Sequence, residues 1–313
     1  MDLRSLRVFV EVVRHGGFTA ATATLFVSQS TVSKTIKQLE EEVGSALLER
    51  CDHEFVLTAT GELVYRHALS MLAERENLQA ALAELQGLKR GRLRLGLSRL
   101  GSGLMFARLV AEFHRRYPDI ALELVEHGSL HLADLLRDGE LELAMCMLPI
   151  PDELEWELVH DEPLMALLPA GRPLGGAGTS TLADFADSPF ILFESGFALN
   201  PQILAACRRH GFTPRIVAYS GQAEFIQALV AAGIGVAFLP RLIVAAGVRA
   251  PITCALIEDE GLRWQMTLAW RRDANLSPAA CAFRNLVREA LSDDPVEVAA
   301  SIRKGPQRGR SHR

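Results

Sequence analysis

The 313 residues carry a net charge of −5, and 49% of them are hydrophobic. That balance excludes a chain that coats nucleic acid or membrane indiscriminately, leaves room for a small local basic site, and supplies material for two or three domains. The five cysteines (Cys51, Cys146, Cys207, Cys254 and Cys281) are scattered, odd in number and never spaced as CxxC, which fits a reduced compartment and not a disulfide framework. The longest apolar run, Ala228 to Leu239, holds twelve residues including two glycines, against the roughly 20 that a spanning helix needs. No apolar secretory region opens the chain. A soluble, cytoplasmic protein without a membrane partner is expected.

Residues 1–60 read as short helices and turns. Leu3, Leu6, Phe9, Val10 and Val13 space a first helix that ends at Gly16-Gly17. Thr19 is placed to cap a second helix, with Ala21 and Leu25 inward, and Phe26-Val27 makes a tight turn. Ser28 caps a third helix. There Val32, Ile36, Leu39 and Val43 recur at steps of four, three and four, one buried face. Phe55, Val56 and Leu57, within Cys51 to Thr58, suggest a short hairpin. A longer helix from Glu62 to Gln86 follows. Its positions Val64, Ala68, Met71, Arg75, Leu78, Leu82 and Leu85 alternate in steps of four and three, a coiled-coil seam with one charge in it.

From Arg92 the texture changes to alternating strands and helices. Strands are expected at Leu93–Leu97, Ile120–Leu124, Leu141–Leu148, Leu164–Leu168, Phe190–Phe193, Arg215–Tyr219, Ile234–Leu239 and Trp264–Trp270. Helices are expected at Ser102–Arg116, Leu130–Arg137, after Pro201, up to Ala232, and at Pro278–Leu291. Two βα series predict two subdomains of parallel sheet with a cleft between them. The last stretch, 293–313, reads as a disordered basic tail.

The polar face of the third helix carries Gln29, Ser30, Thr31, Ser33, Lys34 and Lys37. The chain has four lysines, Lys34, Lys37, Lys89 and Lys304, so two of the four stand on this one face, with no acid between Ser28 and Leu39. Short amide and hydroxyl side chains with lysine suit base edges and phosphates. A merely solvated surface helix explains the face equally well when it is taken alone.

The surrounding residues decide between the two. The span GGFTAATATLFVSQSTVSKTIKQLEEEVGSALLER, followed by LTATGE, resembles the winged helix–turn–helix of LysR-type transcriptional regulators. Gly16, Phe18, Thr19, Ala21, Leu25, Ser28, Gln29, Ser33, Ile36, Leu39, Glu40, Gly44, Leu47 and Arg50 match the family motif. The resemblance extends to about Leu291. It implies an N-terminal winged helix–turn–helix (1–60), a linker helix for dimerisation (61–90) and a two-lobed effector domain like a periplasmic binding protein. Lobe I takes 91–163 and 264–292, and lobe II takes 164–263. It implies base or phosphate contacts by Gln29, Ser30, Thr31, Ser33 and Lys34, and backbone contacts by Lys37 and Arg50. Partners implied are operator DNA, RNA polymerase and copies of the chain in a dimer or a tetramer. Three positions depart from the pattern. Thr22 replaces an alanine, Leu48 replaces a phenylalanine, and the wing carries Asp52 and Glu54 with only His53 left as a weak base.

For the cleft, parallel sheets bind ligands beyond their strand ends. The candidates are Ser98, Gly101, Ser102 and Gly103 after the first strand, and Gly128 and Ser129 after the second. The facing lobe offers Ser195, Gly196 and Phe197, with Ser220, Gly221 and Gln222. Hydroxyls and free amides suit a small carboxylic acid, with Phe197 over its apolar part. Each of these residues is also an ordinary turn residue. FESGFALNPQILAACRRHGF and GQAEFIQALVAAGIGVAFLP look most like the branch of regulators of the cid operon and overflow carbon metabolism. His127 and His131 lack a third metal ligand in sequence, and Cys207 lacks a resolving partner, so neither a metal nor a thiol switch is read. The chain has no GxGxxG before a helix and no P-loop lysine, and GLSRLG is not GxSxG. No enzyme and no cofactor are therefore expected.

Overall fold

In a computed structural model the described residues are 1–51, 54–85, 91–171, 178–247, 251–259, 261–272 and 274–293. The basic tail read at 293–313 lies outside them beyond Asp293. Two compact units emerge. One holds Met1–Arg90 with Arg137–Glu140 and Asn275–Pro278, and the other holds the remainder.

The first unit begins with α1 (Leu3–Arg14), whose first turn is capped by the Asp2 carboxylate accepting the Ser5 N–H at 2.7 Å. α2 (Phe18–Leu25) starts at Gly17 without a side-chain cap. Thr19 therefore lies inside the first turn and does not cap the helix. α3 (Gln29–Val43) is capped by Ser28, and Val32, Ile36 and Leu39 are buried. The hairpin is β1 (Leu48–Cys51) against β2 (Glu54–Leu57), from Leu48↔Leu57 to Cys51↔Glu54. Its first strand opens earlier than the run of apolar residues shows, because Glu40 of α3 reaches over to accept the Leu47 N–H at 2.8 Å and aligns the chain. Phe9, Leu47, Val32 and Ala68 meet in one core.

α4 (Ala59–Leu85) closes this unit. Ala68 and Leu69 are buried, and Val64 packs on the same core. The first part of the presumed seam is therefore spent inside its own unit. Met71, Leu78 and Leu82 remain exposed, at 44%, 59% and 49%.

The second unit runs through β3 (Gly91–Ser98), α5 (Ser102–Met105), α6 (Ala107–Arg116), β4 (Ile120–His127), α7 (Ser129–Arg137) and β5 (Leu143–Met147). The helix expected as one piece from Ser102 breaks at Phe106, which is fully buried. β6 (Leu154–Pro169) and β7 (Thr179–Ser180) follow, then β8 (Pro189–Phe193), α8 (Leu199–Arg209), β9 (Arg215–Ser220), α9 (Ala223–Ala231) and β10 (Ala237–Pro240). α10 (Arg241–Ala245), β11 (Ile252–Ile257), β12 (Arg263–Arg271) and α11 (Pro278–Asp293) complete it.

The main sheet has the order β4-β3-β5-β12-β6-β11-β7, with β10 also on β6, and β8 pairs with β9. β3 is parallel to β4 and β5, and β8 to β9. β12 runs antiparallel to β5 and β6, and β6 antiparallel to β10 and β11. The expectation of purely parallel sheets is thus corrected to mixed ones. The cause is two strands, β12 and β6, the latter of 16 residues. The first part of β6 pairs with β12, from Leu154↔Arg271 to Pro163↔Arg263, and its end pairs with β10 and β11 from Leu164 on. In the first series the strand that runs against its neighbours is β12, and in the second it is β6.

Candidate nucleic-acid interface and effector cleft

On α3, Gln29, Ser30, Thr31, Ser33, Lys34 and Lys37 are all exposed, and Ser30, Lys34 and Lys37 stand opposite Val32, Ile36 and Leu39. The Ser28 hydroxyl accepts the Thr31 N–H at 3.3 Å and lies 2.9 Å from the hydroxyls of both Ser30 and Thr31. That cluster caps the helix and orders the two side chains at its tip. Lys37 stands 3.9 Å from Glu41, with both groups well exposed, a pairing too weak to compete with a phosphate. Among the described residues Lys34 has no acidic partner. The side chains of Arg50 and His53 lie outside the described residues.

Two cations that helical spacing passed over stand nearby. Arg4 and Arg7 of α1 line a groove of about 330 Å³ with Thr24, Phe26, Val27 and Thr31. Phe26, between α2 and α3, is 93% exposed and held at φ 53°. That left-handed conformation is uncommon for a bulky side chain.

In the second unit, two rims of loops face each other. Ser98 and His127 end paired strands, and the Arg99 N–H donates to His127 O at 3.1 Å. On the facing rim, Phe193 pairs with Ser220, and the Glu194 N–H donates to Ser220 O at 3.1 Å. The rims touch where the Leu130 N–H donates to Gly196 O at 3.3 Å. Gly128 is needed there, since a Cβ on it would stand 2.3 Å from Gly196 O. Arg99 Nη1 meets Glu194 Oε1 at 3.1 Å across the same gap.

Most of the candidates gather at these rims, but not all are available to a ligand. Ser98, Ser102 and Ser129 are buried, and the Ser129 hydroxyl accepts the Met147 N–H at 3.0 Å. Ser195 and Gln222 are exposed, and the Ser220 hydroxyl accepts the Gln222 N–H at 3.1 Å. Phe197 does not cover an open site. It is buried and stacked on Phe193 at 4.7 Å, which spends its apolar face inside the lobe. Gly101 has φ +88° and lies against the Trp264 ring, where a Cβ would meet Cη2 at 2.6 Å. Ser102 and Gly103 line a groove of about 820 Å³ with Val110, Leu122 and Leu124. Spacing missed Arg99 and Glu194, because each is one ordinary charge in a loop until the fold opposes them.

His127 and His131 are edge to face, with ring centroids 4.5 Å apart. Partial burial, then the His131 and Arg99 charges, hold the His127 pKa below its ordinary value. Cys207 is fully buried in α8, and burial pushes its thiol up to about 11. A protonated, enclosed thiol is a packing group.

Residues 3–62 match the family described as bacterial regulatory helix-turn-helix protein, lysR family, and residues 86–292 match the LysR substrate binding domain. The chain belongs to the LysR family of transcriptional regulators. This LysR-family protein is 33% identical to the uncharacterized HTH-type transcriptional regulator YwbI of Bacillus subtilis, over 94% of this chain and 98% of that one. It is 32% identical to the RuBisCO operon transcriptional regulator of Allochromatium vinosum, over 92% and 95%. A full-length OxyR variant from Pseudomonas aeruginosa superposes with a TM-score of 0.71 at 27% identity, over 92% of this chain and 97% of that one. The fold of CbnR complexed with its target DNA also matches, with a TM-score of 0.63 at 23% identity, over 93% and 100%. The regulator is thus a DNA-binding protein and not an enzyme, with an effector-binding domain that follows the helix-turn-helix in sequence. Among the described residues no helix is long and apolar enough to cross a membrane.

Proposed function

We propose that this regulator acts in the cytoplasm, reads its operator with the exposed face of α3, and is switched by a small organic acid held between the two rims of its effector domain. The observation that carries the first part is the acid-free face on which Lys34 has no partner among the described residues. Gln29 and Ser33 would read base edges, while Lys34 and Lys37 would hold bases or phosphates. The Arg50 and His53 contacts rest on the family resemblance.

The second part is supported by the exposed Ser195 and Gln222 and the partly exposed Gly196 and Ser220, which stand on a rim bridged to the facing one by Arg99. Hydroxyls, amides and one guanidinium suit a carboxylate. The branch of cid-operon and overflow-metabolism regulators, proposed on two segments of lobe II, agrees with such a ligand. RNA polymerase is the proposed partner of the DNA-bound form. Dimers would form through Met71, Leu78 and Leu82, and tetramers through the apolar groove between α6 and β4.

The test is a gel shift with the DNA upstream of the gene itself. Lys34→Ala should weaken binding by about 1–3 kcal/mol for a base contact, or lower the salt slope by about one for a phosphate contact. Small carboxylic acids are then screened by thermal shift. Ser195→Ala and Gln222→Ala should lose the response while keeping the gel shift. If Lys34→Ala binds like the parent, α3 is not the reader. If both cleft variants respond like the parent, the effector sits elsewhere.

A further inference from the structure

The Arg99–Glu194 pair joins the two rims at 3.1 Å, and the side chains are 44% and 47% exposed. Exposed pairs of this kind contribute little to stability, so stability alone does not account for the arrangement. Glu194 is not loosely placed. Its N–H is held by Ser220 O, and Gly221 lies so close that a Cβ there would stand 2.7 Å from Glu194 Oε1. The backbone of one rim is shaped around a carboxylate, and the other rim supplies the guanidinium for it. Solvent reaches both partners, so a dissolved carboxylate reaches Arg99 by the same route.

We propose that Glu194 is a built-in surrogate ligand. It presents to Arg99 the chemistry that an effector carboxylate would bring, and an incoming small carboxylate displaces it. One guanidinium cannot hold both in the same place, so ligand binding and the ionic tie between the rims exclude each other. Displacing Glu194 removes this ionic tie, while the Leu130–Gly196 hydrogen bond and the Gln202 side-chain donation to Leu148 O remain. That differential contact between two states is what a ligand needs to shift a conformational equilibrium. The proposal rests on the reading of this cleft as the sensing site.

Chemical rescue tests it on the full-length protein. Glu194→Ala vacates a space of acetate or propionate size beside Arg99. Sodium acetate and sodium propionate are titrated against sodium chloride at equal ionic strength, and melting is followed for each protein. Glu194→Ala should show saturable stabilisation with a midpoint at least about fivefold lower than the parent, the lower end of ordinary coupling between two ligands. Arg99→Gln combined with Glu194→Ala should lose that response. Equal midpoints for parent and Glu194→Ala, or a response that survives the loss of Arg99, would overturn the proposal. The two readings fail separately. If Gln222→Ala abolishes an effector response but Glu194→Ala gains nothing from acetate, the surrogate falls alone. If acetate binds through Arg99 but no small acid alters operator binding, the sensing reading falls alone.

Discussion

The reading face and the sensing rims are built in opposite ways. The reading face sits on one helix, where 3.6 residues per turn put Ser30, Lys34 and Lys37 on the side opposite Val32, Ile36 and Leu39. Its geometry follows once that helix forms. The sensing rims are assembled from loops after β3, β4, β8 and β9, with Arg99 and Glu194 meeting across 95 residues of chain. Their geometry exists only when two lobes pack. A site on one element tolerates change elsewhere in the fold, while a site between elements registers it, which suits a reader and a sensor respectively.

The largest expected effect would break the reading side. Ile36 is 2% exposed beneath the polar face. Ile36→Ala should cost about 2–5 kcal/mol and lower the melting of the first unit, with operator binding lost at temperatures the parent tolerates. The comparison fails if the second unit's melting drops equally, because α3 would then not be a self-contained platform.

Assembly comes next. Leu78→Asp places a charge in the apolar stripe of α4, at a side chain that is 59% exposed. Light scattering should show the dimer mass lost and the thermal stability of the first unit unchanged. An unchanged mass would assign pairing to other surfaces.

Phe26 sharpens the comparison in the opposite direction. Left-handed backbone costs roughly 1–2 kcal/mol for most residues but little for asparagine. Phe26→Asn should therefore stabilise the first unit by about 1 kcal/mol, a rise of about 4–8 °C for a domain of this size. Destabilisation would mean that the exposed ring packs on something after all.

The smallest effect concerns pH at the sensing rim. With its folded pKa depressed, neutral His127 contributes stability that is present above the ordinary histidine value of about 6.5 and is lost as pH falls through it. His127→Gln should flatten a slight loss of second-unit stability between about pH 7 and 5. An identical pH profile for the variant would remove His127 from the account.

Sequence alone determined the elements whose signal is local. Val32, Ile36, Leu39 and the Ser28 cap define α3 because helix periodicity and capping act within four residues. The family motif added the roles of Gln29, Ser33 and Lys34 on that face. Tertiary structure decided what depends on distant partners. The first part of β6, LEWELVHDEP, carries four acids and shows no buried stretch until β12 pairs with it antiparallel. Val64 and Ala68 look like seam residues until α1 packs on them, because a heptad position does not name its partner. Phe197 looks like a ligand cover until Phe193 stacks on it. Arg99 and Glu194 acquire a joint meaning only across the cleft, since Coulomb attraction acts between positions in space and not between positions in a chain.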